Sequence, residues 1–365
     1  MASPQIPVVH KPSPVYNFWK ILVKMCIIPL NVNLSQKKVT FKLMSKQTMI
    51  FLLYQFMMAA VFFLCSYMTG IENLIMWLKH KLNDSNTTDF VAMLCVMLLS
   101  CILQNCALFF FKELTYVDNE IILSPNLQVP KHWRKLVLSS VLNTVVTCLY
   151  MFIEIRYSSV KVDNALYSWW ISGSLFQIIY LNLNQFFYFF IILCLIDEFS
   201  RTLFIFEHDI IFHTNKSVYL FKTLQKGFEK TFLICFSLYQ TQNIFCLYMS
   251  ISSNMSGNEN TWQNVTLSVC YFVMSAYFMV IMYCIAMTAE EAFDALQSLI
   301  EPLNKMLVNE NDSSRQESIR IAIRKLEKTR PLNGNGYFNI TRETLTSIVS
   351  TTITYLIILL QFRNN

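Results

Sequence analysis

Near the C-terminus, Thr344, Ser347, Thr351, Thr354, Ile358 and Gln361 recur at steps of 3, 4, 3, 4 and 3. That spacing sets them on one stripe of a helix. Hydroxyls and an amide on an otherwise apolar helix can replace part of the water around an ion, or bond across to another helix. Facing lipid is costly, because an unpaired amide there loses on the order of 1–3 kcal/mol or more. Gln361 is therefore expected to line a wet path. Ser347 and Thr351 suit such a lining and interhelical bonding equally well. Tyr355 and Phe362, seven apart, mark an adjoining packing face.

Other chemistry has little support. No H-E-x-x-H, Walker loop, G-x-S-x-G or C-x-x-C is present, so neither an enzyme nor a metal or cofactor site is expected. His208 and His213 are five apart, the wrong spacing to share a helix face as ligands. "NGNG" at 333–336 reads as a turn and not a phosphate cradle. Nothing in the sequence points to nucleic acid.

A small-molecule pocket needs aromatic walls and a few oriented polar groups. Trp170, Ser174, Gln177 and Tyr180 share one helical face, and Tyr271, Ser275 and Phe278 share another. Tyr239, Gln242 and Asn243 are near neighbours. The expected ligand-binding set is Trp170, Ser174, Gln177, Tyr180, Gln242, Tyr271 and Ser275. Interhelical contact is the competing reading for each.

The elements that position these residues follow from composition. Hydrophobic residues make up 54% of the 365, and charged residues only 14%. Soluble domains carry about 25% charged residues. Seven apolar segments are long enough to span a bilayer, which takes about 20 residues. They are Thr48–Met68, Phe90–Phe111, Leu136–Ile155, Trp169–Ile196, Thr231–Ser252, Val265–Ala289 and Leu345–Phe362. The chain reads as an all-α membrane protein with seven transmembrane helices. "MASPQIPVVHKPSP" has no apolar core of a signal peptide, and Phe18–Asn31 is too short to span. An interfacial helix or a packed arm is expected there.

Lys and Arg set the orientation. With the N-terminus inside, segments 1–47, 112–135, 197–230 and 290–344 are cytoplasmic and hold 24 of the 29 Lys and Arg. The N-terminus is thus expected in the cytoplasm and the C-terminus outside. Asn83, Asn86, Asn254 and Asn264 begin glycosylation triplets in outer loops, with Asn86 and Asn264 the chosen acceptors. Ten of eleven cysteines fall within spans, against a disulfide framework. The expected division is a cytoplasmic arm over 1–47, six helices with an outer-half pocket over 48–289, a cytoplasmic anchor segment over 290–343, and the last helix over 344–365. Within the anchor, Phe293, Leu296, Ile300, Leu303 and Leu307 keep a helical period around Pro302. Ile319, Ala322, Ile323 and Leu326 repeat it, flanked by Arg320, Arg324, Lys325 and Lys328. Packing is expected over lipid or partner binding there.

Thr354-Tyr355, five apolar residues and Gln361-Phe362 at the end of the chain resemble the signature of insect gustatory receptors. Gly336-Tyr337-Phe338 resembles the lead-in to their last helix. The resemblance is strong over about residues 331–362. It implies a ligand-gated, non-selective cation channel with four subunits around one pore lined by the last helix. Thr351, Thr354, Ile358, Gln361 and Phe362 would form pore and gate, and each subunit would hold its own tastant. The partners implied are a small-molecule tastant, the lipid bilayer, and like or unlike gustatory receptor subunits in a tetramer. The place implied is the plasma membrane of gustatory sensory neurons. Sugar-sensing members carry an acid after the Thr-Tyr pair, where this chain has Leu356, which favours bitter or other non-sugar tastants. A metabotropic seven-helix receptor and a transporter are the competing classes. The orientation and missing receptor motifs oppose the first, and the lack of charge at helix centres opposes the second.

Overall fold

The computed structural model describes residues 30–33, 38–42, 45–53, 56–57, 107–122, 124, 128–157, 185–203, 209–255 and 261–364. Two short strands, β1 (Asn31–Asn33) and β2 (Lys38–Thr40), pair antiparallel with Val32 opposite Val39. Helices follow: α1 over 46–53, α2 (Ala107–Leu114), α3 (Asn119–Ile122), α4 (Trp133–Tyr157) and α5 over 185–202. The last five are α6 (Ile210–Met255), α7 (Thr261–Gln297), α8 (Ile300–Asn309), α9 (Ser313–Glu327) and α10 (Arg342–Asn364). The expected spans Thr48–Met68, Phe90–Phe111 and Trp169–Ile196 lie partly outside the described residues. Phe18–Pro29 lies wholly outside them. Leu30 is fully buried, so the arm packs against the bundle where it is described.

Helix α6 begins at Ile210, well before the expected start at Thr231. The reason is periodicity. Val218, Phe221, Leu224, Phe228, Phe232, Cys235 and Tyr239 are buried at three- and four-residue steps. Lys222, Lys226 and Lys230 occupy the exposed side between them. An amphipathic stretch fails a test for continuous apolarity yet continues the same helix. At 1.5 Å per residue, the 46 residues of α6 span roughly 70 Å. A bilayer core is about 30 Å thick, so α6 reaches well beyond it.

Helix α7 packs along α6, α4 packs on α7, and α10 lies across α6 and α7. Aromatic rings join the layers. Phe110 stacks on Tyr188 at 5.1 Å, Phe189 meets Tyr239 at 5.5 Å, and Tyr239 stacks on Phe278 at 5.2 Å. Such pairs add about 0.5–1.5 kcal/mol beyond the area they bury.

Beyond α7 the chain breaks at Ser298 and Leu299, and Pro302 falls in the first turn of α8, where its missing N–H costs nothing. The break in the helical period thus lies just before the proline. Leu296 and Leu303 are fully buried, and so are Ile319, Ala322 and Leu326, with Ile323 nearly so, while the basic residues of α9 are exposed. Asp312 caps α9 by accepting the Ser314 N–H at 3.0 Å. The six described cysteines, Cys148, Cys194, Cys235, Cys246, Cys270 and Cys284, are free thiols.

Gly227 marks a close approach of α6 to the turn after α2. A Cβ there would lie 2.4 Å from Val117 Cγ2 and 3.3 Å from the Val117 backbone nitrogen. Gly227→Leu is expected to cost about 1–3 kcal/mol through overpacking. Reduced thermal stability of the detergent-purified protein checks this; a wild-type melting curve would contradict it.

Candidate ion path and the root of the last helix

Two helical stretches among the described residues are long and apolar enough to cross a membrane, Asn264–Asn309, which takes in α7 and α8 across their break, and Arg342–Phe362. They differ in cover. In the first, 56% of the apolar window is buried inside the chain; in the second, 11%. Helix α10 therefore lies on the outside of its own bundle and leaves most of its surface for lipid or other chains.

Among the described side chains of α10, only Ile348 and Thr352 are buried, with Leu345, Leu356 and Leu359 half-buried near the same face. The polar stripe points elsewhere. Ser347, Thr354, Ile358 and Gln361 are exposed, and Thr344 and Thr351 half-buried. Tyr355 and Phe362, expected to pack, are 52% and 68% exposed, so their own chain does not cover them. The Thr351 hydroxyl donates to the Ser347 carbonyl at 2.8 Å, and that of Thr354 to Ser350 at 3.0 Å. Each hydroxyl thus spends its only hydrogen within the helix. What it presents outward is oxygen lone pairs, which suit a cation and not an anion.

The root of α10 is a small hairpin. Asn333 and Asn339 form an antiparallel bridge, and the Gly334 N–H donates to the Phe338 carbonyl at 2.8 Å. Asn335 (φ 51°) and Gly336 (φ 81°) take the left-handed conformation that closes the turn. The Phe338 ring fills the place of a Gly334 Cβ, at 2.6 Å, and packs on Phe236 at 5.6 Å between centroids. Tyr337 is 77% exposed. Gln225 of α6 grips the hairpin twice: its Oε1 accepts the Asn333 N–H at 2.9 Å and its Nε2 donates to the Asn333 carbonyl at 3.2 Å. Glu290 of α7 grips the first residue of α10. Its Oε2 accepts the Arg342 backbone N–H at 3.0 Å and pairs with Arg342 Nε at 3.3 Å. A carboxylate at a helix N-terminus is stabilising.

A charged cluster sits beside this root. Glu291 pairs with Lys131 at 3.1 Å and faces His132 at 3.8 Å. Arg201 pairs with Asp197 and lies 3.9 Å from buried Glu198, which accepts the Ser124 hydroxyl. Burial raises the Asp197 carboxyl above its ordinary value, although Arg201 opposes that. His213 is a buried histidine bonded to the Leu203 carbonyl at 3.1 Å. No cluster able to hold a metal occurs among the described residues.

Of the expected ligand contacts, Trp170, Ser174, Gln177 and Tyr180 lie outside the described residues, as does Asn86. Gln242, Tyr271 and Ser275 are all buried. Ser275 donates to Asn243 Oδ1, and Asn243 Nδ2 reaches Met279 Sδ at 3.4 Å, so this pair ties α6 to α7. Asn264 lies half-exposed in the first turn of α7. Gln225, Glu290 and His132 were not singled out from the sequence. The adjacent acids Glu290-Glu291 at the end of an apolar span were the one visible signal.

Residues 218–365 match the 7tm chemosensory receptor family. The fold as a whole is similar to that of the insect olfactory receptor OR5 from Machilis hrabei. The complex of that receptor with eugenol superposes with a TM-score of 0.58 at 13% identity, over 95% of this chain and 99% of that one. OR5 alone gives 0.59 at 14% identity with the same coverage. Among curated proteins none matches.

Proposed function

We propose that this chain, whose residues 218–365 match the 7tm chemosensory receptor family, is a gustatory receptor that works as a ligand-gated, non-selective cation channel. The single observation that carries the channel reading is the cover on α10. A membrane-length helix with 11% of its apolar window buried, carrying a stripe of hydroxyls and an amide on an exposed face, calls for neighbours beyond its own chain. Lipid satisfies the apolar sides and not the amide. Four copies around an axis would turn the stripes of Thr351, Thr354, Ile358 and Gln361 toward one another and away from lipid. Ile358 and Phe362 would narrow the path, and closure by dewetting fits their apolar side chains.

The ligand would enter the outer half of the bundle, walled by the helix that carries Trp170, Ser174, Gln177 and Tyr180, with Gln242, Tyr271 and Ser275 toward its floor. OR5 was solved with eugenol, a small aromatic molecule. The Leu356 position favours bitter or other non-sugar compounds here. Orientation follows loop charge, with the hairpin root, α8 and α9 in the cytoplasm of a sensory neuron. Like or unlike subunits of the same family would complete the tetramer.

The test is calcium imaging of cells expressing this chain, with a panel of bitter alkaloids, eugenol and sugars. Trp170→Ala and Gln177→Ala are expected to shift half-maximal concentrations about tenfold, a loss of roughly 1.4 kcal/mol, at unchanged surface expression. Unshifted curves for both would remove them from the ligand site.

A further inference from the structure

His132 stands at the start of α4, where its carbonyl accepts the N–H groups of Lys135 and Leu136 at 3.1 and 3.3 Å. Its side chain is 11% exposed, and Nε2 is buried without a hydrogen-bond partner. Groups from three elements face it. From α7 come Glu291, with Oε1 at 3.8 Å, and the edge-on Tyr283 ring at 6.5 Å. From α5 comes Asp197, and from its own segment Lys131 and Lys135. Lys131 already holds both Glu291 oxygens at 3.1 Å, and Lys135 Nζ lies 4.8 Å above the Tyr283 ring. The slot suits a neutral imidazole. A proton there would add a third cation beside two lysines and next to an occupied carboxylate.

We propose that His132 is an internal acid sensor: a fall in cytosolic pH loosens the start of α4 from the end of α7 and thereby changes the gating of α10. The route is short. Glu291 faces His132, and its neighbour Glu290 holds the first residue of α10 through the Arg342 N–H. The proposal rests on the channel reading and on the inner position of this end of the bundle.

The sign follows from linkage. Burial holds the imidazole below its ordinary value; Glu291 opposes this, and Lys135 and Lys131 add to it. The packed state therefore binds the proton less readily than a solvated ring does. Its stability is complete above the ordinary histidine value, and is lost as pH falls through that value toward the lowered one. Acid favours any arrangement that moves the ring into water.

Two measurements decide. The first is melting of the detergent-purified full chain between about pH 7.5 and about pH 6, a range that spans the ordinary histidine value. Wild type is expected to lose more stability than His132→Gln and His132→Phe. The second is basal current in inside-out patches over the same range. Wild-type current is expected to change about threefold, and both variants to be flat. Parallel melting curves, or equal pH dependence of current in wild type and variants, would overturn the proposal. Absence of any wild-type current would count against the channel reading, and the melting comparison would still judge His132.

Discussion

Glu290→Ala is expected to abolish most gating while the protein still reaches the cell surface. Glu290 is the contact through which α7 holds the first turn of α10, by the Arg342 N–H at 3.0 Å and the Arg342 side chain at 3.3 Å. A charged acceptor on a helix N-terminus contributes on the order of 1–3 kcal/mol. Losing it shifts the coupling between α7 and α10 by about 5- to 150-fold. The two halves of the contact are separable. Arg342→Ala keeps the backbone N–H and removes only a pair whose arginine is 59% exposed. Such pairs are worth about 0–1 kcal/mol, so Arg342→Ala is expected to change half-maximal concentrations less than about fivefold. Glu290→Gln keeps an acceptor oxygen and is expected to fall between. Dose–response curves for the three variants, corrected for surface expression, check the order. If Arg342→Ala is the most damaging, the ion pair and not the helix cap is the coupling element.

Gln361→Glu is expected to convert a weakly selective path into one that favours divalent cations. Gln361 is exposed near the end of α10, in line with Ile358 and Thr354. Four amides around an axis can bond in a ring or turn to meet ions; four carboxylates form a charged ring of the kind that selects cations. Gln361→Ala removes the ring and is expected to raise or lower basal current by about tenfold, a change of roughly 1.4 kcal/mol in the gate. Ligand dependence is expected to survive both changes, because the proposed ligand site lies on other helices. Reversal potentials under bi-ionic sodium and calcium conditions measure the first effect, and whole-cell basal current the second.

The sequence made some of this legible and hid the rest for physical reasons. Helices α4 and α7 hold apolar runs, and the expected segments start three and four residues inside them and end two and eight residues short. The stripe on α9 was equally readable, because Ile319, Ala322, Ile323 and Leu326 keep one period. The N-terminal half of α6 was not, because its lysines interrupt the apolar run that marks a span. The turn at 333–336 was visible from its glycines, but its grip by Gln225 joins residues 108 positions apart, and no local pattern carries that. Glu290 failed to stand out for the same reason: its partner is 52 positions away. On α10 the polar stripe was readable, and Ser347, Thr354, Ile358 and Gln361 on it are exposed, whereas the proposed cover by other copies of the chain leaves no local pattern.

The central claim is that this chain itself conducts. Inside-out patches from cells expressing it, bathed in nucleotide-free solution with GDP-β-S, test that most directly. A bitter alkaloid or eugenol that activates the intact cell is applied from the pipette to wild type and to Gln361→Glu. The account predicts a cation current that persists after excision, together with a changed sodium-to-calcium reversal potential in the variant. Loss of the response on excision, or a reversal potential identical in wild type and Gln361→Glu, would contradict it.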